Sequence, residues 1–326
     1  MLAACVNDAA VNLALAGELK HMLCAAQARG IPCIPLRGVA LSEQLYGNVA
    51  VRPTGDIDVL IPKQRLPDVR RMLEDLGFSE LDVRPNWAER FDYTLEFHKE
   101  GEFPVIVEPH WSILYPPYTD RIPMEAVWDR CEAGTFLGFP VTRLCPEHLL
   151  IHLCLHILHH DKDASPWWWR DLHHLLLSLT HAFDWRFLLE TVQQARLEML
   201  LHPVFQKLVQ TFHTPVPDSV LSALAHARVA SQDRWLVAIM TKIPRAYSRE
   251  RLATFVSLKG AHRKLRYAFS LVFPCQNFMK VHYGVSSGWM LWLLYLKRFS
   301  LIFWHGMRGI GGMVIRGRRL RGPWTS

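Results

Sequence analysis

The chain has 326 residues, half of them apolar, with 37 lysines and arginines against 30 aspartates and glutamates and a formal charge of +7 when the 17 histidines are counted neutral. That length and apolar content exclude a disordered or fibrous protein and allow two domains, each with a core of its own. Seven cysteines, at positions 5, 24, 33, 131, 145, 154 and 275, include no C-x-x-C pair and are odd in number, which argues against a disulfide framework or a zinc knuckle and fits a reducing cytoplasm.

In chain order, the first thirty residues carry Asn7-Asp8, Glu18 and Lys20 amid apolar residues. No basic stretch precedes an uninterrupted apolar core, so no signal peptide is expected. Ala10 to Ala28 has apolar residues at helical spacing and stops at Gly30, a glycine C-cap. Ile31 to Leu36 reads as a short strand. Gly38 permits a tight strand-to-helix turn, and Val39 to Tyr46 follows as a helix that ends at Gly47. The free backbone N–H groups at that helix start favour phosphate, and Arg37 adds a charged fork beside them.

Asp56-Ile57-Asp58 follows. On a strand, residues i and i+2 share a face, so both carboxylates look the same way. Val59-Leu60-Ile61 is apolar and ends at Pro62, making Ile57 to Ile61 a strand buried on both faces with two acids at its open end. Such a pair can chelate Mg²⁺, which takes one or two protein carboxylates and completes its octahedron with water and substrate phosphates. A second D-x-D, Asp161-Lys162-Asp163, lacks this context.

Leu66 to Leu76 is the next amphipathic helix, closed by Gly77, and Phe78 to Val83 reads as strand. Tyr93 to His98 alternates strictly, a turn containing Gly101 follows, and Pro104 to Pro109 returns as a second strand. Glu108 closes the apolar run Val105-Ile106-Val107, where an acid is out of character unless a cation faces it. Ile113 to Cys145, rich in proline and aromatics, reads as a linker.

From Pro146 the pattern is helical: Leu149 to His160, Arg170 to Thr180, Trp185 to Leu201, Ser219 to Ala230 and Trp235 to Ile243, with breaks at Pro166, Pro203, Pro215, Pro217 and Pro244. His148, His152 and His156 share a helix face. The first helix lacks the glutamate of the H-E-x-x-H zinc signature, which leaves them as polar positions on a half-buried helix, able to face a nucleotide cleft. Trp167-Trp168-Trp169 is either a stacking surface for a base or inter-helix packing, and Cys154 reads as a small hydrophobe. Gly288 to Trp304 is interrupted by Lys297 and Arg298 and is too short to span a bilayer. With Arg316, Arg318, Arg319 and Arg321 behind it, it offers a peripheral contact to membrane or nucleic acid, or else a buried closing helix beside a solvated tail.

These residues resemble the uncharacterised nucleotidyltransferase family of the DNA polymerase β-like superfamily. The similar pattern there is a basic-Gly turn, a helix ending in Tyr, an Arg, and D-(I/V)-D before an apolar strand. Here it is Arg37-Gly38, Tyr46, Arg52 and Asp56-Ile57-Asp58. Glu108-Pro109-His110-Trp111 resembles the family's third-acid strand, and Pro146-Glu147 leading to His152 and His156 resembles its first downstream helix. Most of the superfamily has Gly-Ser or Gly-Gly at the turn; Gly38-Val39 supplies no hydroxyl for a γ-phosphate.

The expected fold is α+β: a small mixed β-sheet nucleotidyltransferase domain flanked by helices over residues 1–112, a linker over 113–145, and an all-helical domain over 146–326 with a basic C-terminal tail. The resemblance implies an enzyme that moves a nucleoside monophosphate from a nucleoside triphosphate to an acceptor hydroxyl on a small molecule, peptide or RNA, and the cysteine pattern sets it in the cytoplasm. Asp56 and Asp58 would hold two Mg²⁺ ions and the triphosphate, with Glu108 completing the acceptor-side ion and Arg37, Gly38 and Arg52 gripping phosphates. Asp58→Asn is expected to remove Mg²⁺-dependent nucleotide binding while relieving repulsion in the fold. The alternatives are a non-catalytic nucleotide-binding or partner protein of the same fold and, from the histidines, a metal hydrolase.

Overall fold

The structure is a computed structural model that describes residues 2–81, 84–160, 164–179, 183–243, 249–285 and 290–304. The chain divides into two compact units, one of Met1–Asp82 with Tyr93–Ala227 and one of Val83–Asp92 with Arg228–Ser326.

The first unit opens with α1 (Leu2–Ala28), which buries Leu15, Leu19, Met22 and Ala26. Then come β1 (Ile34–Pro35), α2 (Gly38–Tyr46), β2 (Ile57–Leu60), α3 (Leu66–Asp75) and β3 (Ser79–Glu80). After α4 (Ala88–Phe91), which belongs to the second unit, the chain forms β4 (Phe97–Lys99), β5 (Val105–His110), α5 (Met124–Asp129), β6 (Glu132–Phe136) and β7 (Phe139–Arg143). Helices α6 (Pro146–His160), α7 (Pro166–Ser178), α8 (Trp185–Ala195), α9 (Glu198–Phe212) and α10 (Asp218–Ala225) complete this unit.

Among the described residues five strands form one sheet in the order β1-β2-β5-β4-β3. Only the central β2–β5 pair is parallel; the other neighbours are antiparallel. This is the small mixed sheet expected from the strand patterns, and the fold is α+β. All four β2 residues are buried, as its apolar run requires of a central strand. β4 starts later than the alternation from Tyr93 suggests. Opposite it, Pro109 has no N–H to offer the ladder, so Thr94 makes only an isolated bridge to His110.

The segment read as linker is structured. It holds α5 and the β6–β7 hairpin, turned by Leu137 and Gly138 at φ 47 and 73. Two residues with positive φ make the tight turn that suits a hairpin, but leucine is not a residue that announces it. Leu137 is held from outside: its N–H donates to Glu43 Oε1 at 2.8 Å and its carbonyl accepts from Lys20 Nζ at 3.1 Å. No strand follows β7 among the described residues.

Several expected helix boundaries moved. Pro166 begins α7, with Ser165 as N-cap accepting from the Trp167 N–H, because proline fits a first helical turn as readily as it ends one. The single helix expected over Trp185 to Leu201 is two, broken where Arg196 adopts φ 55, while Pro203 lies inside α9.

The second unit adds α11 (Ser231–Lys242), α12 (Arg249–Ser257), α13 (Ala261–Val272), α14 (Gln276–Tyr283) and a helix over 290–304. No helix among the described residues is long and apolar enough to cross a membrane. The second D-x-D at 161–163, the end of the strand expected to reach Val83, the break at Pro244 and the arginines at 316–321 lie outside the described residues.

Candidate active site

The site is built on the β2–β5 pair. Its parallel register sets Asp58 directly beside Glu108, so the two side chains leave the same face of the sheet. Asp56, two residues before Asp58, lies just outside β2, and His110, two residues after Glu108, ends β5. Donor atoms of Asp58, Glu108 and His110 lie within 4.8 Å of one another, a spacing that can hold a metal ion.

Asp58 Oδ1 accepts from Arg37 Nη2 at 2.6 Å and from His110 Nε2 at 2.9 Å. Its other oxygen, Oδ2, is buried without a partner, as is His110 Nδ1. His110 Nε2 also lies 3.5 Å from Glu108 Oε2. Glu108 is the open side of the group, with 25% of its side chain exposed against 1% for Asp58.

The carboxylates and the two basic groups of the cluster set one another's ionisation. Repulsion from Asp58, followed by burial, pushes Asp56 up to about 7. Burial works in the same direction on Asp58, but Arg37 and His110 outweigh it and hold that carboxyl well below the usual carboxylate range. Burial opposes the charge of His110, and its hydrogen bonds to Asp58 and Glu108 overcome this and raise it. Arg37 is likewise raised, the attraction of Asp58 overriding burial. A divalent cation fits this donor set, because it would occupy the orphaned Asp58 oxygen and remove the repulsion that keeps Asp56 weakly acidic.

The turn before α2 is locked to the acids. Gly38 has φ 65, and a Cβ there would sit 3.0 Å from Thr54 Cγ2 and 3.3 Å from the Asp56 carbonyl oxygen. Only glycine allows the first turn of α2 to approach the D-x-D strip this closely. Asn12 of α1, fully buried, steers the same loop. Its Nδ2 donates to the Val49 carbonyl at 2.9 Å and to that of Arg52, and its Oδ1 accepts from Thr54 N at 3.1 Å.

Arg52 lies elsewhere. Its side chain is 4% exposed and pairs with Asp171 of α7 at 3.2 Å, and Asp171 also accepts from Tyr46 OH at 2.8 Å. Burial raises Asp171 even though Arg52 and Tyr46 pull the other way. The tyrosine that ends α2 and the arginine before the D-x-D thus meet on one acid of the helical part.

The α6 histidines have separate tasks. His152 Nδ1 donates to the Ile113 carbonyl at 2.8 Å, leaving Nε2 buried and unpartnered. The His156 ring accepts from Arg37 Nη1 and lies 3.0 Å from Tyr115 OH. His148 Nδ1 faces Cys145 Sγ at 3.3 Å. They form no metal-ligand group among the described residues. The tryptophans pack: Trp168 against His156 and His160 at ring distances of 4.2 and 4.9 Å, Trp169 beneath Lys207 at 4.0 Å. Cys154 is fully buried.

Sequence reasoning did not single out His110, Asn12, Tyr115 or Asp171. Of these only His110 carries a local signal, its i+2 spacing from Glu108 on a strand.

The chain belongs to the uncharacterised nucleotidyltransferase family, whose sequence model matches residues 1–212. Membership of that family makes it a nucleotidyltransferase. Among curated proteins none matches. Similar solved structures include a crystal structure of ANT(2'')-Ia in complex with adenylyl-2''-tobramycin, 21% identical over 56% of this chain and 96% of that one, with a TM-score of 0.40. The solution structure of the antibiotic-resistance factor ANT(2'')-Ia is 20% identical over 62% and 98%, TM-score 0.40. An antigenic nucleotidyltransferase-like protein from Paracoccidioides brasiliensis is 14% identical over 68% and 94%, TM-score 0.35.

Proposed function

We propose that the protein transfers a nucleoside monophosphate from a nucleoside triphosphate to an acceptor hydroxyl, with Asp56, Asp58 and Glu108 holding two Mg²⁺ ions. The observation that carries this reading is the side-by-side register of Asp58 and Glu108 together with a buried, unpartnered Asp58 oxygen. The acceptor oxygen forms a bond to the α-phosphorus and gives up its proton to water while the bond to the bridging oxygen breaks, and pyrophosphate leaves. Held by these carboxylates, Mg²⁺ would supply a lowered pKa at the attacking hydroxyl and positive charge opposite the phosphates.

The chain's own residues bind and orient. Glu108, more open than Asp58, faces the acceptor side. His110 holds Asp58 through Oδ1 so that Oδ2 remains free for a cation. Arg37 balances Asp58 before nucleotide arrives, and its guanidinium and the first-turn N–H groups of α2 at Gly38 grip the phosphates. Arg52 serves the same strip indirectly, by fixing it to Asp171. In this reading residues 1–112 carry the chemistry, 113–145 connect, and the helical part from 146 selects the acceptor, whether small molecule, peptide or RNA. The protein works in the cytoplasm.

The second reading is a nucleotide-binding partner protein without turnover, favoured by Val39 in place of a hydroxyl and by the Arg37 pair that already occupies Asp58. Incubation with an α-labelled nucleoside triphosphate, Mg²⁺ and cell extract separates the two. Label transfer that disappears in Asp56→Asn supports the enzyme; tight nucleotide binding with no transfer to any acceptor supports the binding protein.

A further inference from the structure

The 290–304 helix is built inside out. Its Leu291 and Arg298 are 5% and 7% exposed. Arg298 Nε donates to the Leu271 carbonyl and Tyr295 OH to the Pro274 carbonyl, each at 2.7 Å. The cation thus faces inward. The opposite stripe, at spacings of i, i+4, i+7 and i+11, is Trp292, Leu296, Phe299 and Phe303, exposed by 75, 65, 52 and 62%.

α13 and its C-cap residue carry a second such stripe, Leu265, Phe269 and Phe273, exposed by 70, 63 and 47%. Phe269 and Phe273 are 5.0 Å apart between ring centroids, Phe273 and Tyr295 5.9 Å, and Tyr295 and Trp292 6.4 Å. The stripes therefore join into one apolar surface. Single exposed apolar residues are ordinary, but a continuous patch with aromatic members marks a contact.

The charge of the segment that carries both stripes has one sign. No aspartate or glutamate follows Glu250, while thirteen lysines and arginines do. Arg263 and Arg266 of α13 and Lys297 of the last helix stand exposed beside the stripes. Acids outnumber lysines and arginines before that point, so the positive charge of the whole chain comes from this end.

We propose that this face of the second unit docks, in the plane of the interface, on a bilayer containing anionic glycerophospholipid. Aromatic and leucine side chains enter the headgroup–acyl boundary while the flanking cations meet lipid phosphates, which is how amphipathic helices too short to span a membrane bind one. A nucleic acid would use the cations and stack on the rings, but it gives no burial to Leu265 and Leu296. A second copy of the chain would set like charge against like charge. The inference stands independently of the catalytic reading.

The test is co-sedimentation of the full chain with sucrose-loaded vesicles of phosphatidylcholine alone or mixed with phosphatidylglycerol, beside the double variant Phe299→Ser with Phe303→Ser. Both side chains are exposed, and a matching far-UV melting curve shows that the variant is folded. The wild type should pellet with the mixed vesicles and far less with the neutral ones, and the variant should lose at least about tenfold in partition. Equal pelleting on both vesicles, or an undiminished variant, would overturn the proposal. So would binding of single-stranded RNA without vesicle binding, or concentration-dependent self-association without vesicle binding that the two substitutions abolish.

Discussion

Arg37 Nη2 lies 2.6 Å from Asp58 Oδ1, with 9% of the arginine side chain and 1% of the aspartate exposed. This buried pair reverses what the D-x-D motif alone suggests about stability. From sequence, Asp58 is an acid repelled by its neighbours. In the structure it is the counter-ion that Arg37 and His110 depend on, and Asp56 bears the repulsion.

Asp58→Asn should therefore destabilise the protein in the absence of metal, by on the order of 3–5 kcal/mol, because it strands a buried guanidinium. Asp56→Asn should raise the melting temperature in the same buffer, since it removes the group whose charge Asp58 opposes. Thermal melts of both variants in chelator-treated buffer check the pair. Shifts of the same sign in the two variants would refute the division of roles.

Gly38→Ala is expected to cost about 1–3 kcal/mol from its left-handed backbone alone, and more from the crowding against Thr54 and the Asp56 carbonyl. Since the Asp56 loop must give way, nucleotide affinity should fall in the fraction that remains folded. Denaturant titration together with nucleotide binding reads both effects; an alanine variant with wild-type stability would mean that the turn is not locked as described.

The pair of Arg52 and Asp171 holds the D-x-D loop to α7. Asp171→Leu or Arg52→Met alone leaves a buried charge and should destabilise by roughly 3–5 kcal/mol, while the two together should cost much less than the sum. Additive losses in a double-mutant cycle would show that the residues do not interact.

How much of this was legible beforehand depends on the range of the signal. The D-x-D strip, the glycine turn, α2, the acid at the end of β5 and the helical character after residue 146 are written in local periodicity and turn chemistry. Asp171 is not, because its partners Tyr46 and Arg52 are more than a hundred positions away in the chain. Asn12 looks like any polar residue on α1 until the loop at 49–54 folds onto it. The β6–β7 hairpin was hidden because its turn residue Leu137 is held open by Glu43 and Lys20, contacts no window of sequence contains. Motif position makes Arg52 a phosphate ligand, and its pairing with Asp171 is a contact that the motif does not contain.

His152 and His148 are buried neutral. Burial, reinforced by nearby arginines, lowers them to about 3 and about 4, against about 6.5 in an unfolded chain. Between those values the unfolded state binds the extra proton, so stability rises with pH up to about 6.5 and is lost as pH falls below it. Each histidine contributes a slope of roughly 1.4 kcal/mol per pH unit. His152→Gln should flatten the acid limb of a stability–pH curve by about one proton; an unchanged slope would contradict a neutral, buried His152.

The most direct measurement of the central claim is a calorimetric titration of a nucleoside triphosphate into wild type, Asp56→Asn and Glu108→Gln, each with and without Mg²⁺. Asp56→Asn is the informative variant, because it is expected to fold at least as well as wild type. The account predicts Mg²⁺-dependent binding in the wild type and at least about a tenfold loss of that dependence in both variants, a change of roughly 1.4 kcal/mol or more. Wild-type affinity with undiminished Mg²⁺ dependence in Asp56→Asn and Glu108→Gln would contradict it.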